Sequence, residues 1–76
     1  MNNKKRKQIE GIVSKLMDLQ SEIESLRDEE QEIVDNTPEN LQGTERFEIA
    51  EAAAENLDNA CSSMDELIDY LNEAAE

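Results

Sequence analysis

A run of four cations is the group of residues here whose type and spacing best suit a defined chemistry. Its members are Lys4, Lys5, Arg6 and Lys7. Clustered ammonium and guanidinium groups bind phosphate oxygens. This basic tip either neutralises nearby carboxylates as exposed ion pairs or binds a small anionic ligand. If it binds a ligand, the closest further candidates for contact are Gly11, through close backbone approach, and Tyr70, through stacking.

Acidic residues dominate the rest of the chain. The sequence holds 20 acidic and 7 basic residues, for a formal net charge of −13. Long nucleic acid is therefore an unfavourable ligand, because repulsion replaces the counterion release that drives such binding. The carboxylates either form the solvated surface of a helical protein or imitate a nucleic-acid backbone in the basic groove of another protein. For the second interpretation the candidate surface is Glu48, Glu51 and Glu55.

The sequence carries no catalytic or cofactor signature. It has no histidine, and its single cysteine, Cys61, allows neither an internal disulfide nor a metal-binding set. No glycine-rich phosphate loop is present, and Cys61 falls at a predicted helix-packing position where formation of a thiolate is unfavourable. We therefore expect a protein that is not an enzyme and that needs no cofactor or metal.

Apolar residues recur with alternating steps of three and four in two separate segments, as in coiled coils. The first set is Ile9, Ile12, Leu16, Leu19, Ile23, Leu26 and Ile33, with Glu30 in one of the slots. The second set is Phe47, Ala50, Ala54, Leu57, Cys61, Met64, Ile68, Leu71 and Ala75. When the chain is folded back about Asn40, paired residue numbers add to 80 throughout. The pattern predicts an all-α fold of two long antiparallel helices forming a helical hairpin.

The predicted hairpin is a single domain covering residues 1–76. Its first helix runs from about residue 4 to 35, its connector covers 36–44, and its second helix runs from about 45 to 75. Asn36 and Gly43 are expected to end helical segments in left-handed conformations, and Pro38 to begin a short helical turn. Thr44 is expected to cap the second helix.

Surplus apolar residues predict that the hairpin associates with further copies. A chain of 76 residues buries a small core, so two helices alone are marginally stable. The predicted interface consists of Ala53, Ala60, Leu67 and Ala74 on the second helix and Val13, Met17 and Val34 on the first. A two-fold pair of hairpins forming a four-helix bundle is the simplest closed assembly, and higher rings are an alternative.

Hydropathy predicts a cytoplasmic protein that does not enter membranes. No apolar run approaches the roughly 20 residues of a membrane span. The first seven residues have the charge of a signal-peptide opening, but the residues from Ile9 onward are amphipathic and acidic instead of continuously apolar.

Three stretches of the sequence carry a resemblance to known proteins: MNNKKRKQIE, DNTPENLQGTERFE and NLDNACSSMDELIDYLNEAAE. They are similar to small acidic helical-hairpin proteins encoded in phages and prophages of Gram-positive bacteria. The resemblance implies an antagonist of host defence in the bacterial cytoplasm. The function we expect is an oligomeric sponge that sequesters an anionic nucleotide immune signal at the basic tip. The alternatives are an acidic, anti-CRISPR-like inhibitor that binds a basic host defence protein, and a phage structural or assembly coiled coil.

Overall fold

The chain forms a helical hairpin. In the computed structural model, which describes all 76 residues, helix α1 spans Asn3–Asp35 and helix α2 spans Glu45–Ala74, with a short 3-10 helix, Glu39–Leu41, between them. The two long helices pack against each other, no strand is present, and the molecule is a rod of 59 × 15 × 14 Å. The predicted all-α hairpin fold is confirmed. Neither helix has a stretch long and apolar enough to cross a membrane.

Polar side chains cap both long helices at their N-termini. Asn2 Oδ1 accepts a hydrogen bond of 2.9 Å from the backbone N–H of Lys5, so α1 begins earlier than the sequence suggested. Thr44 Oγ1 accepts a hydrogen bond of 3.4 Å from the backbone N–H of Phe47, which confirms Thr44 as the cap of α2. Each cap satisfies a backbone donor that has no partner within its own helix.

The connector turns without any left-handed residue, contrary to the prediction for Asn36 and Gly43. Asn36 has φ −93° and ψ 0°, and no glycine has a positive φ. Asn36 N–H continues the helical pattern by donating to Glu32 O at 3.0 Å, and Thr37 Oγ1 donates to Ile33 O at 2.6 Å. Since these bonds satisfy the last carbonyls of α1, a left-handed cap is not required.

On α2 the predicted packing line is the observed one. Ala50, Ala54, Cys61 and Ile68 are buried, and Leu57, Met64 and Leu71 between them are half-buried. Along the axis, Gln20 is level with Cys61, whose carbonyl oxygen accepts a hydrogen bond of 3.1 Å from Gln20 Nε2. The numbers of these two residues add to 81, close to the predicted 80, whereas those of the side-chain pairs Gln20–Asp65 and Arg27–Asp58 add to 85.

Helix α1 is rotated relative to the prediction. Ile12, Leu19 and Leu26 are 48–52% exposed, and they do not form the packing line with α2. The residues that follow them take their places: Val13 is 8% exposed, and Gln20 and Arg27 are half-buried. On this side of α1, Val13 is buried against α2, and Gln20 and Arg27 add hydrogen bonds that reach across to α2.

The hairpin core is therefore thin. Five of the 76 residues are buried, all five are apolar, and no side chain is completely enclosed. Small domains already bury a modest fraction of their surface, and a two-helix rod buries less. The exposed apolar residues of α1 accordingly matter for what the protein can bind.

Candidate functional site

Two interhelical polar contacts define one side of the hairpin. Gln20 Nε2 donates to Asp65 Oδ1 at 2.6 Å, and Arg27 Nη1 donates to Asp58 Oδ1 at 3.1 Å. The second contact is also an ion pair, and Asp28 contacts the same guanidinium at 3.2 Å. The hydrogen bond to Asp28 holds the pKa of Arg27 above its ordinary value, so this side chain stays cationic at any physiological pH.

The opposite side carries an apolar face made by both helices. On α1, the residues Ile12, Leu19 and Leu26 each come directly before a residue of the packing line, and so do Ala60 and Leu67 on α2. Consecutive residues of a helix are rotated by about 100° around its axis. Because the two helices are antiparallel, the preceding residues of both lie on the same side of the hairpin, away from Gln20 and Arg27. We define the apolar face as Ile12, Leu19, Leu26, Ala53, Ala60 and Leu67.

Most exposed large apolar residues of the chain belong to this face or its edge. Nine large apolar residues are exposed, and four of them, Ile12, Leu19, Leu26 and Leu67, are in the face itself. Helical spacing places two more, Ile49 and Tyr70, along its α2 edge. Burying half of a large apolar side chain is favourable by about 1 kcal/mol. Covering the face is thus favourable in free energy, because it removes these apolar side chains from water.

Carboxylates follow the other side of α2 as an acidic row. Its members are Glu48, Glu51, Glu55, Asp58, Asp65 and Asp69. They recur in steps of three and four, with Ser62 filling the one gap, and all six are exposed. This row contains the three residues predicted as an acidic partner surface and extends them by three. The sequence signal that would have extended the prediction is the same heptad spacing, applied to the charged residues.

The basic tip has no carboxylate partner within the chain. The only ion pairs of the hairpin are those of Arg27, so Lys4, Lys5, Arg6 and Lys7 form none with the acidic C-terminal end of α2. Lys4, Lys5 and Lys7 are exposed, and Arg6 is half-buried with an Nε atom that lacks a hydrogen-bond partner. The first interpretation of the tip, neutralisation within one hairpin, is not what the structure shows.

Gly11 and Tyr70 do not join the basic tip in an enclosed site. Open space surrounds the position that a Cβ atom of Gly11 would occupy, so no part of the chain needs a glycine there. Tyr70 is 70% exposed. By helical spacing Tyr70 faces outward along the edge of the apolar face, whereas Gly11 lies on the side of α1 that points away from α2.

The predicted interface residues separate into different surroundings. Ala53, Ala60, Leu67 and Ala74 form one column along the apolar face, as a shared interface requires. Val13 is buried inside the single hairpin and Val34 is half-buried, while the exposed Met17 lies on the side of the polar contacts. The exposed apolar residues of α1 on the side of that column are Ile12, Leu19 and Leu26 instead, because α1 is rotated.

Three concave regions lie in the half of the hairpin near the connector, far from the basic tip. The first, of ≈ 640 Å³, is an open groove between the helix ends, with the carboxylates of Glu29 and Glu32, the guanidinium of Arg46 and the apolar side chains of Ile33 and Phe47 among its walls. The other two lie beside it, around Glu30 and around Arg27. None has the enclosed apolar walls typical of a small-molecule site.

Cys61 lies in the packing line, and the chain has no group of three or more potential ligands arranged to hold a metal ion. Removal from water raises the pKa of the Cys61 thiol, and the nearby charge of Arg27 offsets part of that rise. The neutral thiol is thus the stable form, which suits a packing role and disfavours nucleophilic chemistry.

Comparison with protein-family models, curated proteins and solved structures finds no match to this chain. The assignment of surfaces therefore depends on the geometry and charge of the hairpin itself.

Because the folded chain holds the Cys61 proton more tightly than the unfolded chain, its stability should fall as the pH rises above about 8.5, where an ordinary thiol ionises. Urea midpoints measured at pH 7 and pH 10 should therefore decrease more for the natural protein than for Cys61→Ala, which has no thiol. An equal decrease in both proteins would contradict the buried, neutral thiol.

Proposed function

We propose that this chain is a non-enzymatic binding protein whose acidic row occupies the nucleic-acid-binding surface of another protein. The observation that carries the proposal is the regular, exposed and largely unpaired row of carboxylates on α2. The resemblance of the chain to phage-encoded helical hairpins makes a host defence protein the expected class of target.

The dimensions of the row suit a groove that binds a nucleic-acid strand. From Glu48 to Asp69 the row is about 32 Å long, with one carboxylate roughly every 5 Å where the spacing is unbroken. A strand of B-DNA carries one phosphate per 3.4 Å of helix axis. The linear charge density of the row is thus within about a factor of two of that of a single strand.

Maintaining the row costs the isolated helix stability. Four pairs of its carboxylates are three or four residues apart, and each such like-charge pair is unfavourable by about 0.2–0.5 kcal/mol. Only Asp58 is compensated, by Arg27. A cationic surface that covers the row neutralises these carboxylates and removes their repulsion. Relief of the repulsion therefore contributes to the free energy of binding.

Reversal of three charges tests the row. We expect Glu48→Lys, Glu51→Lys and Glu55→Lys together to weaken competition with DNA by roughly 100-fold or more, because attraction becomes repulsion at several contacts. The measurement is displacement of labelled duplex DNA from a panel of purified CRISPR effectors and restriction endonucleases. Competition by the natural protein should also weaken with added salt.

The matched control reverses three exposed acidic residues outside the row, Glu39, Glu66 and Glu73, for the same change in net charge. These substitutions should leave most of the competition intact. Equal losses in both triple variants would show that net charge alone matters and would contradict a specific surface. Failure to displace DNA from any panel member would count against nucleic-acid mimicry.

Sequestration of a small anionic nucleotide by the basic tip is a second candidate function. The observation that favours it is the absence of any ion pair between Lys4–Lys7 and the carboxylates of the same hairpin. Four unpaired cations in an otherwise acidic molecule form a local anion-binding surface. Several tips from different copies would be needed to surround a ligand, because one hairpin encloses none there.

If the tip binds nucleotides, replacing Lys4, Lys5, Arg6 and Lys7 with Gln should abolish the heat of binding to cyclic and linear oligonucleotide signals. The helical content should remain, since these residues precede the first packing residue, Ile9. The variant with lysines at positions 48, 51 and 55 should bind nucleotides at least as well as the natural protein. No calorimetric heat with any nucleotide would rule this candidate out.

A further inference from the structure

We propose that the apolar face is covered by the same face of a second copy, with the two hairpins arranged head to tail. The four-helix bundle that results places the connector end of each hairpin beside the basic tip of the other. The pairing does not depend on the acidic row, which lies on the opposite side of each hairpin.

The size of the face suits a homodimer. A side of the rod measuring 59 × 15 Å offers about 900 Å² per chain, close to the 800 Å² per partner of a standard stable interface. Exposed large apolar residues are concentrated on this side, and the single hairpin buries only five residues in its own core. A second copy supplies a surface of equal length and equal apolar character.

Charge decides the relative direction of the two hairpins. Residues 19–60, the connector half, hold 13 acidic and 2 basic residues, whereas residues 1–18 and 61–76 together hold 7 and 5. The two halves thus have formal charges of −11 and −2. Side-by-side hairpins with their tips together would bring the two −11 halves into contact. A head-to-tail arrangement places each −11 half beside a −2 half, which lowers the repulsion.

The apolar face is symmetric in spacing about the level of Leu19 and Ala60, as a two-fold axis at that level requires. On α1 the face continues equally to either side of Leu19, with Ile12 seven residues before it and Leu26 seven after it. The axis brings Leu19 against Leu19 of the second copy and Ile12 against Leu26. On α2 the same axis places the large Leu67 over the small Ala53, so volumes are complementary.

Charged residues on the α1 edge of the face pair across the same axis. Lys15 and Glu22 occupy equivalent positions one heptad apart, both exposed. In the head-to-tail bundle Lys15 of each chain lies within one residue of the level of Glu22 of the other, so two equivalent ion pairs form. Lys5 reaches the level of Ile33 of the second copy, where Glu29 and Glu32 border the connector groove. Lys5, which is unpaired in one hairpin, thus lies near carboxylates in the dimer.

A charge exchange tests the arrangement by sedimentation equilibrium. The natural protein should be a dimer at micromolar concentration. Lys15→Glu and Glu22→Lys should each weaken self-association by roughly tenfold, because two attractive pairs become two repulsive ones. An equimolar mixture of the two variants should restore the natural affinity, since every pair in the mixed dimer is again attractive. Circular dichroism checks that both variants keep their helices.

The control mixture combines Lys15→Glu with Glu66→Lys, an equal charge change at an exposed residue of α2. Glu66→Lys keeps both ion pairs and should dimerise with itself, while the Lys15→Glu chain should not regain the natural affinity. Restoration in the first mixture alone supports head-to-tail pairing. A natural protein that stays monomeric up to about 100 µM would overturn the proposal. That concentration is about a hundred times the roughly micromolar dissociation constant of a weak specific interface. The proposal would also be overturned by a first mixture that associates no better than its components, which is the result expected for tips-together hairpins.

Discussion

The rotation of α1, which buries Val13 and turns Gln20 and Arg27 toward α2, determines which surfaces this hairpin leaves free. The two polar side chains reach across to α2, where Asp65, Asp58 and the carbonyl of Cys61 accept their hydrogen bonds. The apolar stripe of α1 is three columns wide, and one neighbouring helix can cover about two of them. Because α2 covers the edge that holds Val13, the other edge, with Leu19 and Leu26, remains exposed.

This rotation separates two surfaces with different physical character. On one side, apolar residues from both helices gain free energy when they are covered. On the other, a row of carboxylates is stabilised by cations and is otherwise unfavourable. If the apolar faces pair as we propose, the two acidic rows lie on opposite outer surfaces of the bundle and remain available. Self-association and binding of a basic partner are then compatible, whereas the basic tips are occupied by the neighbouring copy.

The sequence predicted the fold well because each helix carries a long periodic pattern and Thr44 gives a clear helix start. Heptad spacing also predicted the α2 packing line from Ala50 to Ile68. Heptad spacing did not predict the rotation of α1. Leu19 and Gln20 are adjacent, and the column of residues through either one repeats every seven residues, so the spacing alone does not say which column packs against α2. Choosing between them requires knowing that Gln20 has partners on α2, which is a tertiary contact. The left-handed conformations expected at Asn36 and Gly43 were wrong for a similar reason, because Thr37 satisfies the helix end by another route.

Oxidation of Leu19→Cys, with the natural Cys61 retained, tests both the rotation of α1 and the pairing of the apolar faces. Leu19 lies outside the packing line and, in the proposed dimer, against Leu19 of a second copy, so the product on a non-reducing gel should be a covalent dimer with Cys61 still free. An intrachain disulfide between residues 19 and 61 would contradict the rotation of α1. A chain that remains fully reduced at micromolar concentration would contradict the paired apolar faces.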